Sequence, residues 1–265
     1  MFADIPDEAG GLKQRWPDKL WIVRHGQSAG NVAKDAAYSA GTARIDIEAR
    51  DVDVPLSELG KDQAQAVGRW FASMPEANKP QVLLTSPYVR ARQTGEAIRA
   101  AGGLAADASD LVVDERLREK ELGALDRLTW VGIEQLFPDE AAYRARLGKF
   151  YYRPPAGESW CDVILRLRSA LDTISLHYGG KRVLIIAHQV VVLCLRYLLE
   201  NLDEKKILAI DAGGEVANCS VTEYAFQAEQ GSSGKLLLKR YNFVAPLARE
   251  GAPVTSAPDA KVGPR

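Results

Sequence analysis

Three short runs of uninterrupted apolar residues punctuate the chain: LWIV at 20–23, VLL at 82–84 and VLIIA at 183–187. Each is too short for a helix core and fits a strand buried on both faces. The stretches between them carry helical periodicity, at about 57–74, 87–101 and 158–178. In the last, Trp160, Ile164, Leu167, Leu171, Ile174 and Tyr178 alternate spacings of four and three, one face of a helix. The stretch after His188, QVVVLCLRYLLENL, is apolar nearly all round and predicts a buried helix. Oily strands alternating with helices imply a largely parallel sheet covered on both faces. Further on, NCSVTEYAF and KLLLKRYNFV flank the turn-like QGSSG and predict an antiparallel hairpin at the sheet edge. Residues 1–18 are expected to form an irregular arm, 19–248 a single domain, and the Pro-, Ala- and Gly-rich 249–265 a mobile tail.

The residues that follow each apolar run carry the candidate chemistry. Arg24, His25 and Gly26 follow the first, Thr85-Ser86-Pro87 the second, and His188 the third. Ligands of open α/β sheets bind outside the carboxyl ends of the strands. Two of the three histidines, with Arg24 and Arg90, are therefore expected at one end of one sheet. A permanent cation beside an imidazole suits an anion, and Gly26 lets it approach the backbone closely. Ser86 is the expected N-cap of the following helix and Pro87 its first residue, which sets Arg90 one turn in, near the positive end. Arg92 points about 200° around that helix and cannot share the site. His177, in HYGG, is expected at the surface. Glu115, Glu119 and Glu121 crowd DERLREKELGALDRLTW, and spacing alone does not choose between them.

Composition narrows the partner. Lys+Arg is 34 and Asp+Glu is 35, a net charge of -1, so any anion binding must be local and neither nucleic acid nor an anionic membrane is an expected partner. Cys161, Cys194 and Cys219 are widely spaced in apolar patterns and read as buried reduced thiols. No run is long enough to span a membrane and the first residues do not resemble a signal peptide, so a cytoplasmic location is expected. Three histidines, no CxxC and no calcium-loop spacing leave no expected metal site. The phosphate-binding Gly-rich motifs of nucleotide and dinucleotide sites are missing.

These pieces together resemble the histidine phosphatase superfamily, which includes cofactor-dependent phosphoglycerate mutases and fructose-2,6-bisphosphatases. RHGQSAGN, PLSELG at 55–60, SPYVRARQT, LREKELGAL and VLIIAHQ resemble its successive sequence blocks, in the right order. The resemblance implies a phosphoglycerate mutase-like fold: an α/β, three-layer αβα sandwich with a mostly parallel central sheet and an antiparallel edge hairpin. YRPPAGESWCDVILRLR and the Gln after His188 look closest to the bisphosphatase branch, and the segment of FTGW type found in mutases is missing. Two positions depart from the sugar-bisphosphate pattern: Ala156 stands where a Lys is found, and Leu193 where an Arg is found.

By the same resemblance, His25 is the nucleophile that takes up the phosphoryl group. Arg24, Asn31, Arg90 and His188 would bind its oxygens, with Gln27 at the rim. The family's acid–base glutamate lies four residues before a glycine, a register that picks Glu119 before Gly123. Glu115 and Glu121 would raise the Glu119 pKa if close. The expected activity is a metal-independent phosphatase acting on a small phosphate monoester, such as a sugar phosphate or bisphosphate, through phosphohistidine. The alternative is a phosphoglycerate mutase-type isomerase. No cofactor is expected, save 2,3-bisphosphoglycerate for a mutase. The expected partner is a small phosphorylated metabolite, and the oligomeric state is open. Segments 33–54 and 124–157 would cover the site, with Tyr151, Tyr152 and Arg153 as candidate substrate contacts.

Overall fold

A computed structural model describes residues 14–230 and 234–256. The chain runs β1 (Lys19–Arg24), α1 (Ala29–Ala40), α2 (Glu58–Ala72), β2 (Val82–Thr85), α3 (Val89–Ala100), β3 (Val112–Val113), α4 (Trp130–Leu136), α5 (Pro138–Leu147), α6 (Trp160–His177), β4 (Arg182–Ala187), α7 (Gln189–Leu199), α8 (Glu204–Ala212), β5 (Val221–Gln227), β6 (Lys235–Phe243) and α9 (Ala245–Arg249). The strands form one sheet in the order β3-β2-β4-β1-β5-β6. The first four of these are mutually parallel, while β5 and β6 add the antiparallel edge hairpin.

Alternation within each strand splits the core into two layers. Leu20 and Ile22 join Val183 and Ile185 against α6 and α7. Trp21 and Val23 join Leu184 and Ile186 against α2 and α3. Every one of these side chains is buried, which is why the strands read as unbroken apolar runs. Trp21 meets Phe71 of α2 edge-on, with ring centroids 5.4 Å apart. The connection leaving β1 thus passes one face of the sheet and α6 enters β4 from the other, which opens a crevice at the carboxyl ends.

The expected start of the helix after β2 is corrected. The helix after β2 begins at Val89, not Pro87, with no side-chain cap at Tyr88. Ser86 is not its N-cap, because the Ser86 hydroxyl is engaged by His188 and by the Tyr88 N–H. At the N-terminal arm, Trp16 packs on the core and its carbonyl accepts from Gly180 N; residues 1–13 lie outside the described residues. The expected mobile tail is held in its first part: Arg69 pairs with Glu250, Gln63 Nε2 donates to Pro253 O and Thr255 Oγ1, and Asn218 N donates to Thr255 O. The rest of that tail, 257–265, lies outside the described residues.

Candidate active site

The strand register brings the chemistry together. Arg24 pairs with Ala187 and Thr85 with Ile186, so the next residues, His25, His188 and Ser86, meet at the sheet's carboxyl edge. The two imidazoles pack edge to face with centroids 5.1 Å apart. Close backbone packing fixes the His25 loop. A Cβ at Gly26 would run into the Gly60 carbonyl, and one at Gly60 into the Gln27 main chain. This is the role of the PLSELG block: Ser57 caps α2 and ties it to the Gln27 carbonyl and side-chain amide. Gln27 therefore faces Ser57 and does not reach the pocket wall.

His25 is held as a neutral imidazole. Its Nδ1 lies 2.7 Å from the Gly26 carbonyl, which can only accept, so Nδ1 carries the proton and Nε2 the lone pair. Arg90 Nε donates to that Nε2 at 3.2 Å. Burial, then the charges of Arg90 and Arg24, hold the His25 pKa well below the usual 6.5. His188 is wholly buried beside it and off the pocket wall. Its Nε2 pairs with Ser86 Oγ at 2.7 Å, and its Nδ1 has no hydrogen-bond partner. A buried polar atom without a partner fits a place for a ligand oxygen. Burial first, and then Arg90, His25 and Arg24, push the His188 pKa well down too.

Arg24, His25, Asn31, Arg90 and Glu119 all line one pocket of about 280 Å³. Arg24 is buried and donates through Nη1 to Val216 O. Asn31 completes the capping box of α1: its Oδ1 accepts from Ser28 N at 2.9 Å, which leaves its amide N–H groups for a ligand. Glu119 is half-buried on the pocket wall, and its loss of solvent raises its pKa. Asp51 raises it further, while the Lys120 N–H, Arg90 and Arg24 oppose the shift. Glu115 and Glu121 play no part in it: Glu115 is exposed, and Glu121 accepts from the Tyr88 hydroxyl at 3.0 Å. The Glu119 main chain is held by Arg166, whose Nη2 donates to its carbonyl while Nε pairs with Glu158 at 2.9 Å.

The two covering segments pair with each other. Arg44 bridges to Leu128, and Ile45 N donates to Arg127 O at 2.9 Å. They bring Lys34, Tyr38, Ile45, Ile47, Leu128 and Trp130 to the pocket wall. Tyr152 lines it too, with its hydroxyl on Glu140. Tyr151 and Arg153 do not: Tyr151 is exposed, and Arg153 is turned outward onto Asp162. His177 and Arg92 are exposed, as expected.

A family model for the histidine phosphatase superfamily (branch 1) matches residues 20–237. The chain belongs to the histidine phosphatase superfamily. One relative, "Probable phosphoglycerate mutase GpmB" of Photorhabdus laumondii, is 28% identical over 215 residues, covering 79% of this chain and 85% of that protein. "Bifunctional protein Rv2228c" of Mycobacterium tuberculosis is 30% identical over 229 residues, covering 83% of this chain and 54% of that longer protein. Among solved structures, mycobacterial glucosyl-3-phosphoglycerate phosphatase Rv2419c, determined with VO3, superposes with a TM-score of 0.63 at 26% identity over 85% of this chain and 99% of that one.

In this member of the superfamily the two buried imidazoles leave a thermodynamic signature. Their folded pKa values lie below 6.5, so the stability they contribute is present above pH 6.5 and is lost as pH falls towards those values. Glu119 acts with the opposite sign, since its raised pKa makes its contribution fade as pH rises. The difference between proteins isolates the histidine. Unfolding free energies from urea titrations taken from pH 6.5 down to 5 are expected to fall less steeply in His25→Asn than in the wild type, the difference in slope approaching about 1.4 kcal/mol per pH unit at the acid end. Parallel slopes would show that His25 is protonated in the folded protein.

Proposed function

We propose that this protein is a phosphomonoesterase that transfers a phosphoryl group to His25 Nε2 and then to water. The observation that carries the reading is the pairing of a neutral, Nδ1-protonated His25 with a Glu119 whose pKa is raised, on one pocket wall with two arginines. Nε2 attacks phosphorus, the P–O bond to the alcohol breaks, and the Glu119 proton passes to the leaving oxygen. The carboxylate left behind then takes a proton from water, whose oxygen displaces His25, and the P–N bond breaks to release phosphate. Arg24, Arg90, Asn31 and His188 Nδ1 supply donors for oxygens whose charge grows in transit.

The alcohol we favour is largely apolar. Apart from His25, the tyrosines and the tryptophans, the neutral polar side chains on the wall are Ser28, Asn31 and Gln189. Beyond them the wall offers Ile45, Ile47, Leu125, Leu128, Trp130 and Ile133. An alcohol with a large apolar surface would pack against these, while its hydroxyls would find partners in charged side chains of the same wall such as Asp126 and Arg127. A second reading, a mutase primed by 2,3-bisphosphoglycerate, draws on Lys34, Lys120, Arg127 and Arg144 on the same wall, charge that suits a second anionic group. The free thiols of Cys161, Cys194 and Cys219 support work in a reducing cytoplasm. Among the described residues no helix is long and apolar enough to cross a membrane.

A release assay across aryl phosphates, sugar phosphates, phosphoglycerates and nucleotides tests the proposal. Phosphate release fastest from the aryl esters is expected. Interconversion of 3- and 2-phosphoglycerate with a trace of 2,3-bisphosphoglycerate, and no phosphate release, would make the protein a mutase.

A further inference from the structure

Arg90 is held by a residue outside every sequence block named above. Asp51 opens a 3-10 turn, Asp51–Asp53, in the segment that covers the pocket. Its carboxylate takes Arg90 end-on: Nη1 donates to Oδ1 at 2.9 Å and Nη2 to Oδ2 at 3.2 Å. Nη1 also donates to the Asp51 main-chain carbonyl at 2.6 Å. A guanidinium has five N–H groups in a fixed fork. Asp51 uses three, and a fourth, on Nε, points at His25 Nε2 from 3.2 Å. The fifth is the second Nη2 hydrogen, on the same edge as Nε–H. The edge that Asp51 leaves is therefore the one turned to the atom that takes the phosphoryl group. The Tyr88 ring closes one face of the guanidinium, 4.7 Å from Cζ to centroid, and Glu121 fixes the Tyr88 hydroxyl.

We propose that Asp51 is a positioning residue for phosphoryl transfer, clamping Arg90 end-on so that its Nε–Nη2 edge holds two oxygens of the group on His25. The inference rests on His25 being the phosphoryl acceptor. Arg90 is itself buried, but half of Asp51 is solvent-exposed, so an ordinary surface ion pair at this place would contribute little. The value of the contact is orientation: planar two-point recognition of phosphate depends on which edge of the fork is presented. The clamp also explains how one arginine can serve a carboxylate and a phosphoryl group together, since the two use different edges.

The test is a double-mutant cycle on the single-turnover rate of His25 phosphorylation by an aryl phosphate, using the full chain. Asp51→Ala is expected to slow that step about 10-fold or more, and Asp51→Asn less, because one side-chain acceptor and the main-chain carbonyl remain. In an Arg90→Lys background, Asp51→Ala is expected to add little, since the fork it orients is gone. Equal losses in both backgrounds would overturn the proposal by showing that Asp51 acts independently of Arg90. A faster reaction in Asp51→Ala would also overturn it, by showing that the carboxylate competes with substrate for the fork. A wild type that takes label on a residue other than His25 would remove the parent reading, and this one with it. A wild type labelled on His25 beside an unimpaired Asp51→Ala would remove this inference alone.

Discussion

Replacing His25 by alanine is expected to lower kcat by about 10³-fold or more, equivalent to about 4 kcal/mol of transition-state stabilisation. On the proposed reading Nε2 is the attacking atom, since Nδ1 is spent on the Gly26 carbonyl, and burial, then Arg90 and Arg24, lower the pKa of the ring. A protonated imidazole has no lone pair to offer, so this electrostatic arrangement is a precondition of the chemistry and not an accessory to it. Rapid acid-free quenching during turnover of a labelled ester, followed by peptide mapping, is expected to place the label on His25 as an acid-labile adduct. An ester on Ser86 or a mixed anhydride on Asp51, both close to the same arginine or histidine, would assign the nucleophile elsewhere.

Glu119→Gln is expected to lose about 10²–10⁴-fold on an alkyl phosphate, whose alcohol cannot leave without a proton. On an aryl phosphate the phosphorylation step should lose far less, because a phenolate leaves unaided. Glutamine keeps an acceptor for the Lys120 N–H, now at Oε1 of Glu119, so the variant removes the proton while preserving the contact. Single-turnover rates of His25 phosphorylation make the comparison clean, since hydrolysis of the phosphoenzyme also calls on the carboxylate. Equal losses on both esters would reject Glu119 as the acid. Glu121, held by Tyr88 outside the pocket wall, would then be the next glutamate to test.

The parts of this site that could be read from the chain are those that local rules govern. His25 and His188 stand directly after apolar runs, and a run buried on both faces is visible without any knowledge of its neighbours. The edge hairpin showed in the alternation of its two strands. The start of α3 misled because Ser86 has the chemistry of a cap but spends its hydroxyl on His188, a partner 102 positions away. Asp51, Asn218 and Arg166 were invisible for the same reason. Each acts through one long-range contact, with Arg90, with the His25 carbonyl and with the Glu119 carbonyl respectively. No periodicity marks such a residue, and the chain holds many other Asp, Asn and Arg that do nothing comparable. The register that picked Glu119 over its neighbours came from the family resemblance; the fold supplies the reason, since of the three glutamates it alone lies on the pocket wall.

Asn218 binds the His25 carbonyl through Nδ2 at 3.0 Å, and is itself tied to Thr255 through its N–H and its Oδ1. The loop that carries His25 is therefore tied to Asn218, 193 positions further along the chain, and through it to Thr255. A ribosome synthesises from the amino terminus at about 5–20 residues per second, so about 10–50 s separate the appearance of His25 from that of Thr255. By the time α8 has been made, both histidines, both arginines and Glu119 already exist on the nascent chain, yet the clamp on their loop does not. The arrangement of the His25 loop seen here is therefore complete only once residue 255 has been made and has left the ribosome.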